Sequence, residues 1–361
     1  MIINLIGARG TVPTAKSATV SFLVDNQFLF ECPSEIIQSL KRNQKEWKYI
    51  SENYELDSEI NALGKPSFSK IRYIILSHLH HDHWGGLAHF IHRILLLEKE
   101  RRIKNPLNII IPKFSTLSFQ ERMKEQFETV IDPFPLDDAE FLLRFLCIEI
   151  GSGIKSIIKI RVIENNERIQ LDRNYSLIAK ENSHLNSGSV SYKLEFKLTK
   201  LKVETAKELK IPFNSLLNKI LKSKEPVLVD GRKISRDQIF YDLSTILGYS
   251  GDTDINSGVI NFFQNCDIII HDATYLHPQD DYHLDLHSDL ITLLEKVINH
   301  SNLKLIVPIH FSIRYNDLEI SKQLEELKQN YKSTFNIVNP LTTFLIMLKP
   351  PDNVSIVKKT D

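Results

Sequence analysis

The stretch IRYIILSHLHHDHWGG (71–86) decides how this chain is read. Residues 71–77 form a nearly continuous apolar segment, the pattern of a buried strand feeding a loop. Directly after it come His78, Leu79, His80, His81, Asp82 and His83. Histidine is intermediate in burial and aspartate is seldom fully buried unless paired. Crowding them at a strand tip costs desolvation and repulsion unless a positive charge compensates, and a divalent metal ion is such a charge. In an extended segment alternate residues point the same way, so His78 and His80 project together as two ligands of one ion. Asp82 and His83 follow the turn and can face a second. The plainer alternative is an exposed polar loop with chance histidines. It sits badly with the thin spread of histidine elsewhere, since four of the 13 in 361 residues fall in this one stretch.

One ion needs about four protein ligands, or three and a water, so further ligands must come from outside this stretch. Asp252 lies in Tyr-Ser-Gly-Asp-Thr (249–253), a turn in which Gly251 lets the backbone approach closely and the short acid can bridge. His310 ends the run KLIVPIH (304–310), and His184 sits in ENSHLNSGSVSYKL (181–194) between two strand-like runs. Each is weak alone, since a lone histidine after a strand is more often a hydrogen-bonded residue. As a set they supply the ligands that the first cluster lacks.

Further outward, IINLI (2–6), TVSFLV (19–24), QFLFEC (27–32), LNIIIP (107–112), KIRVIE (159–164), YSLIAK (175–180), SYKLEFKL (191–198) and CDIIIHD (266–272) read as strands. Helical spacing occurs at 34–42, 84–99, 114–128, 254–263, 285–299 and 317–330. Strands alternating with helices predict a layered α/β protein, here one domain over 1–361. Two segments differ. Residues 41–70 are polar and irregular and read as an insertion between strands. Residues 193–237 are Lys-rich and lack a strong strand pattern, with helical runs at 203–210 and 214–222. They read as an excursion too short and too poor in apolar residues to bury a core of its own.

Lys+Arg and Asp+Glu are both 45, so the chain is neither a uniformly basic nucleic-acid binder nor a strongly acidic one. The positive charge is local. Residues 193–237 hold 12 lysines and arginines against 6 acids. Cys32, Cys147 and Cys266 are far apart and form no CxxC pair, which argues against a disulfide framework and a thiolate zinc site. The start has no basic region ahead of an apolar stretch, and no apolar run approaches the roughly 20 residues that span a bilayer. The expectation is a soluble cytoplasmic protein with no membrane partner.

His78-x-His80-x-Asp82-His83, then His184, Asp252 in Ser-Gly-Asp-Thr and His310 resemble, in order, the ligand motifs of the metallo-β-lactamase superfamily. The resemblance runs from residue 7 to residue 310. It implies a four-layer αββα sandwich with two metals at one edge of the paired sheets. Within that superfamily several features are similar to RNase Z, the tRNA 3′-processing endonuclease family. His271-Asp272-Ala273-Thr274 resembles its HEAT motif, with Asp for Glu. His287-Ser288-Asp289 resembles its HST motif, and His310-Phe311-Ser312-x-Arg314-Tyr315 its closing element. Residues 203–234, from Ala206 through Pro212 and Leu216 to Pro226 and Ile234, resemble its tRNA-gripping arm, which extends over about 197–237. The chain departs from the family elsewhere. Ser17-Ala18 stand where its opening loop has Arg-Asn, and Phe30-Glu31-Cys32-Pro33-Ser34 replaces an LFDCGEGT-like run. His81 takes the place of a small residue, and Asn214-Ser215 that of a Gly-Pro pair. These departures bear on rejection of mature CCA ends and leave the metal ligands untouched.

The resemblance and the thiolate-free donor set together suggest two zinc ions, with manganese or another divalent ion as an alternative. His78, His80 and His184 would hold one, Asp82, His83 and His310 the other, and Asp252 would bridge. Such a pair, roughly 3.5–4 Å apart, clamps a phosphodiester and gives a metal-bound hydroxide near neutral pH. His287 is the candidate to protonate the leaving 3′ oxygen, Asp272 to hold its imidazole, and Asp82 to help orient the nucleophile. His271 reads equally as a support or as a structural residue. His277 and His283 read as solvated, and His89 and His92 as surface or core. Lys200, Lys202, Lys207, Lys210, Lys219, Lys222 and Arg232 would meet the RNA backbone without reading bases, on a basic arm expected next to the metal site. The implied activity is removal of the 3′ trailer from precursor tRNA by a homodimer. The alternative is a phosphodiesterase of the same fold acting on cyclic nucleotides or other small diesters. A non-catalytic metal scaffold fits poorly, because the whole ligand set is present.

Overall fold

The apolar runs form two large mixed sheets. In spatial order the first is built from Asn353–Lys358, Thr343–Lys349, Ile2–Arg9, Ser21–Val24, Phe28–Phe30, Tyr73–Ile75, Leu107–Pro112 and Ile158–Ile163, with Ala18–Thr19 beside Ile2–Arg9. The second is built from Asn336–Ile337, Leu305–Ile309, Ile268–Asp272, Phe240–Tyr249, Val190–Leu201, Tyr175–Glu181 and Arg168–Gln170. The period of two along a strand sorts their side chains. Ile268 and Ile270 enter a core shared by both sheets with Phe22, Phe30, Tyr192 and Leu247. Ile269, between them, joins Ile306 on the outer face, beneath the helices Ser257–Phe262, Leu290–Val297 and Asp317–Tyr331. The outer face of the first sheet, with Leu29, Ile74 and Ile109, is covered by the helices Ile36–Asn53, Leu87–Lys99 and Asp138–Ile150. The result is the four-layer αββα sandwich. The computed structural model describes residues 1–15, 17–53, 63, 65–99, 106–113, 138–182, 184, 189–213, 215–278, 286–349 and 353–359.

Strand direction positions the site. Phe240–Tyr249, Ile268–Asp272 and Leu305–Ile309 are mutually parallel. Tyr175–Glu181 shares their direction, because both it and Phe240–Tyr249 are antiparallel to Val190–Leu201. In the first sheet Phe28–Phe30 and Tyr73–Ile75 are parallel. The two sheets meet where Val190 N donates to Ser77 O at 3.0 Å. The carboxyl ends of these strands therefore share one edge, where open α/β sheets place their ligands.

Two expectations change. The segment 41–70 is not irregular throughout, since Ile36–Asn53 is one helix burying Leu40, Asn43, Trp47 and Ile50 on a single stripe. Polar residues between these positions mask the stripe in the sequence. A helix absent from the sequence reading spans Asp138–Ile150. The excursion does bury a small core of Ile211, Ile220, Val227, Val229, Ile234, Ile239 and Phe240. The strand Val190–Leu201 runs into it, and the hairpin Val227–Val229/Arg232–Ile234 closes it. Its Asp230-Gly231 turn has both residues at positive φ, 48° and 76°. That is an Asp-Gly hairpin signal legible in the sequence. The helical spacing at 114–128 lies outside the described residues. No described helix is long and apolar enough to cross a membrane.

Candidate metal centre

Each residue of the sequence-derived ligand set follows a strand that ends at the shared edge. The structure brings His78, His80, His184 and Asp252 into one group, and Asp82, His83 and His310 into another. Asp252 Oδ2 lies between them, 3.7 Å from His78 Nε2, 4.0 Å from His184 Nε2, 3.3 Å from His83 Nε2 and 3.2 Å from His310 Nε2. His310 Nε2 is 3.5 Å from Asp82 Oδ2. Gly251, at φ +61°, allows this convergence, for a Cβ there would come within 2.7 Å of the Ser77 side chain.

The donor set fits a cation. The Nε2 atoms of His78, His83 and His310 are buried and have no hydrogen-bond partner. In His78 and His310 the opposite nitrogen is held instead, as it is in His184. Nδ1 of His78 meets Ser77 Oγ at 3.0 Å, that of His184 meets Leu286 O at 2.7 Å, and that of His310 meets Thr274 Oγ1 at 2.8 Å. Such contacts fix ring and tautomer and turn Nε2 towards the cluster. His80 Nδ1 and His184 Nε2 face each other at 3.4 Å.

Electrostatics agree. Burial, reinforced by His83, pushes His78 well below its ordinary pKa. Burial and then His184 bring His80 down to about 4, and His184 is lowered chiefly by burial. These imidazoles are therefore neutral, the form that binds metal. His83 moves the other way. Burial opposes its charge, but Asp252 and Glu31 outweigh burial and raise it well above 6.5. Burial would raise Asp252, yet His310 and His83 hold it well below the usual carboxylate range.

Beside this cluster His287 Nδ1 is 2.7 Å from Asp272 Oδ2. Burial disfavours the imidazolium, but the adjacent Asp272 overcomes it and holds His287 up at about 9. Asp272 is fully buried and also accepts from Thr253 N, Thr274 N and Thr274 Oγ1, so its position is fixed. The His287 ring stacks on His310 with centroids 5.0 Å apart, and His287 lies close enough to Asp252 and His310 to share a cation with them. His271 is buried and turns its Nδ1 to the carbonyl of Asp272 at 2.8 Å, outside these groups. His89 and His92 are exposed on the helix Leu87–Lys99, and His283 lies outside the described residues.

Sequence reasoning missed Glu31. It is fully buried at the end of Phe28–Phe30, in a left-handed conformation with φ +61°. Oε1 accepts from Ser77 N at 3.1 Å and Tyr249 OH at 2.7 Å, and Oε2 is 3.4 Å from His83 Nδ1. The signal available was an acid inside the apolar run FLFEC, where burial demands partners.

The arm is not next to the site. Strand pairing continues from Tyr192↔Tyr249 to Leu201↔Phe240, nine steps at about 3.3 Å each, so the arm begins roughly 30 Å from the metal edge along the strands. Lys200, Lys202, Lys207, Lys210, Lys219, Lys222 and Arg232 are all exposed on it. Lys207 pairs with Glu204, and Lys202 donates to Asp237 O.

No family model matches the chain. Its sequence is 22% identical over 342 residues to a protein named Ribonuclease Z from Archaeoglobus fulgidus, covering 92% of this chain and 94% of that one. It is 27% identical over 275 residues to the Ribonuclease Z of Picrophilus torridus, covering 75% and 76%. Among solved structures, the metallo-β-lactamase fold protein YhfI from Bacillus subtilis superposes with a TM-score of 0.54 at 14% identity, over 93% of this chain and 96% of that one. Human tRNase Z, short form, does so with a TM-score of 0.51 at 15% identity, over 97% and 100%. The chain has the metallo-β-lactamase fold and is similar over most of its length to proteins named Ribonuclease Z.

Proposed function

We propose that this protein is a metal-dependent endoribonuclease that hydrolyses one phosphodiester of precursor tRNA to release the 3′ trailer. One observation carries the reading. In a chain similar to Ribonuclease Z over 92% of its length, buried and unpartnered His Nε2 atoms converge on Asp252 beside the His287–Asp272 pair. Two divalent cations bound there would activate a water and offset phosphate charge. His78, His80 and His184 would hold one, Asp82, His83 and His310 the other, with Asp252 shared between them. A His-rich set with carboxylates and no thiolate suits zinc.

The protein's own groups do the rest. Asp82 orients the attacking water. As the bond from phosphorus to the 3′ oxygen breaks, His287 gives that oxygen the proton from Nε2, while Asp272 keeps Nδ1 engaged and the ring aimed. The exposed lysines of the arm meet phosphates far from the scissile bond. A contact roughly 30 Å away serves a macromolecular substrate and not a small diester. We read the working form as a cytoplasmic homodimer in which the arm of one copy steadies RNA cut by the other.

The test is to incubate metal-loaded protein with a 3′-extended precursor tRNA and, separately, with a small chromogenic phosphodiester. Release of the trailer as one fragment is expected. Cleavage of the small diester alone would overturn the assignment.

A further inference from the structure

The metal centre as described leaves Arg9 without a role, yet Arg9 is among the largest fully buried side chains, 0% exposed. A buried guanidinium is tolerated only when its charge is matched and its donors largely engaged; here Nε has no hydrogen-bond partner, and the two Nη groups carry the contacts. Nη1 donates to Ser312 O at 3.2 Å and to Tyr315 O at 2.8 Å, and Nη2 is ion-paired with Asp317. These partners close the segment 312–317 that leaves His310. The same segment is stitched to the end of Ile2–Arg9, since Phe311 N donates to Ala8 O and Gly10 N to Phe311 O, both at 3.1 Å. Gly10 lies flush against the ligand, for a Cβ there would come within 3.2 Å of the His310 ring. On the other side Ser312 N donates to Thr274 O at 3.1 Å. His310 itself sits at φ +67°, a conformation that a non-glycine residue keeps only where its surroundings impose it.

We propose that the Arg9–Asp317 pair is a positioning device. It fixes the 312–317 turn, so that His310 keeps its left-handed backbone and aims Nε2 at Asp82 and Asp252. It thereby sets the affinity of the cation position formed by Asp82, His83 and His310, and leaves the His78, His80 and His184 position unaffected. This rests on the reading of the centre as dinuclear. A merely structural ion pair would instead lower stability and weaken both positions alike.

The experiment strips the full chain of metal and titrates it with Co2+ against a competing chelator, reading the visible spectrum and the occupancy of each position. Wild type is compared with Asp317→Asn, Arg9→Lys and His310→Ala. The control is Leu97→Ala, a core truncation at the far end of the helix Leu87–Lys99. Wild type is expected to take two ions. Asp317→Asn and Arg9→Lys should keep one at wild-type affinity and weaken the other by about 10- to 100-fold, with the spectral change confined to the ion that His310→Ala also loses. Leu97→Ala should lower Tm and leave both affinities alone. Two wild-type affinities in both Arg9→Lys and Asp317→Asn would overturn the proposal, as would equal weakening of both ions. A wild type that takes one ion fails at an earlier step, refuting the dinuclear reading and the clamp with it.

Discussion

Replacing Glu31 by glutamine should cost metal affinity and leave the fold intact. The side chain is fully buried, and its two oxygens do different work. Oε1 accepts from Ser77 N at 3.1 Å and Tyr249 OH at 2.7 Å, and the amide oxygen of glutamine can take that place. Oε2, 3.4 Å from His83 Nδ1, becomes an NH2 group. When His83 ligates through Nε2 its Nδ1 carries the proton, so two donors then face each other. Replacing that ion-pair contact by two facing donors is a loss on the scale of a charged hydrogen bond, about 1.5–3 kcal/mol. At about 1.4 kcal/mol per factor of ten, that predicts an affinity loss of roughly 10- to 100-fold. Zinc affinity is measured by competition with a chromophoric chelator, and thermal unfolding of the metal-free protein is followed in parallel. Wild-type affinity in Glu31→Gln would refute the idea that this carboxylate holds His83 for the metal. Loss of the cooperative thermal transition would show that Glu31 serves the fold instead.

His287→Ala should retain both metals and lower single-turnover cleavage of precursor tRNA about 100-fold or more, the scale of a lost proton donor. Unchanged turnover would remove His287 from the mechanism. Reversing Lys210, Lys219, Lys222 and Arg232 to glutamate should raise KM for precursor tRNA with little change in kcat. It should also flatten the dependence of log affinity on log salt by about one unit for each phosphate no longer neutralised, with the small diester as the insensitive control. The metal-free protein should lose stability as pH falls from about 6.5 towards 4. His80 is held at about 4, and His78 and His184 are also lowered. In that window the unfolded chain binds more protons than the native one, and stability rises with pH wherever that holds. Urea unfolding in chelator across this range is the check, and a flat or reversed trend contradicts the assigned shifts.

Local patterns carried much of the reading. The strand 107–112 and the helix after residue 316 are legible because period-two and period-3.6 spacing is local, and Asn316 with Glu319 writes a capping box within four residues. The helix read at 34–42 continues to residue 53, and that continuation was hidden by the polar residues between its buried positions. The small core of the arm was hidden because its apolar residues come from two helices and a hairpin that gather only when folded. Local sequence flags Glu31 only as a buried acid, and what Glu31 and Arg9 do lies beyond local reasoning. The partners that make them intelligible, Tyr249 and Tyr315, are 218 and 306 residues away in the chain.

By itself the sequence determined the identity and order of the candidate ligands, because only a cation relieves the cost of crowding His78, His80, Asp82 and His83 at a strand tip. Tertiary structure decided how those donors divide around Asp252, which nitrogen each imidazole presents, and which buried groups hold them. It also set the basic arm roughly 30 Å from the site it was expected to adjoin. The physical reason is that donor chemistry belongs to the residue, whereas convergence and distance belong to the strands. Parallel packing brings carboxyl ends from across the chain to one edge, and ten residues of antiparallel pairing carry the arm away from it.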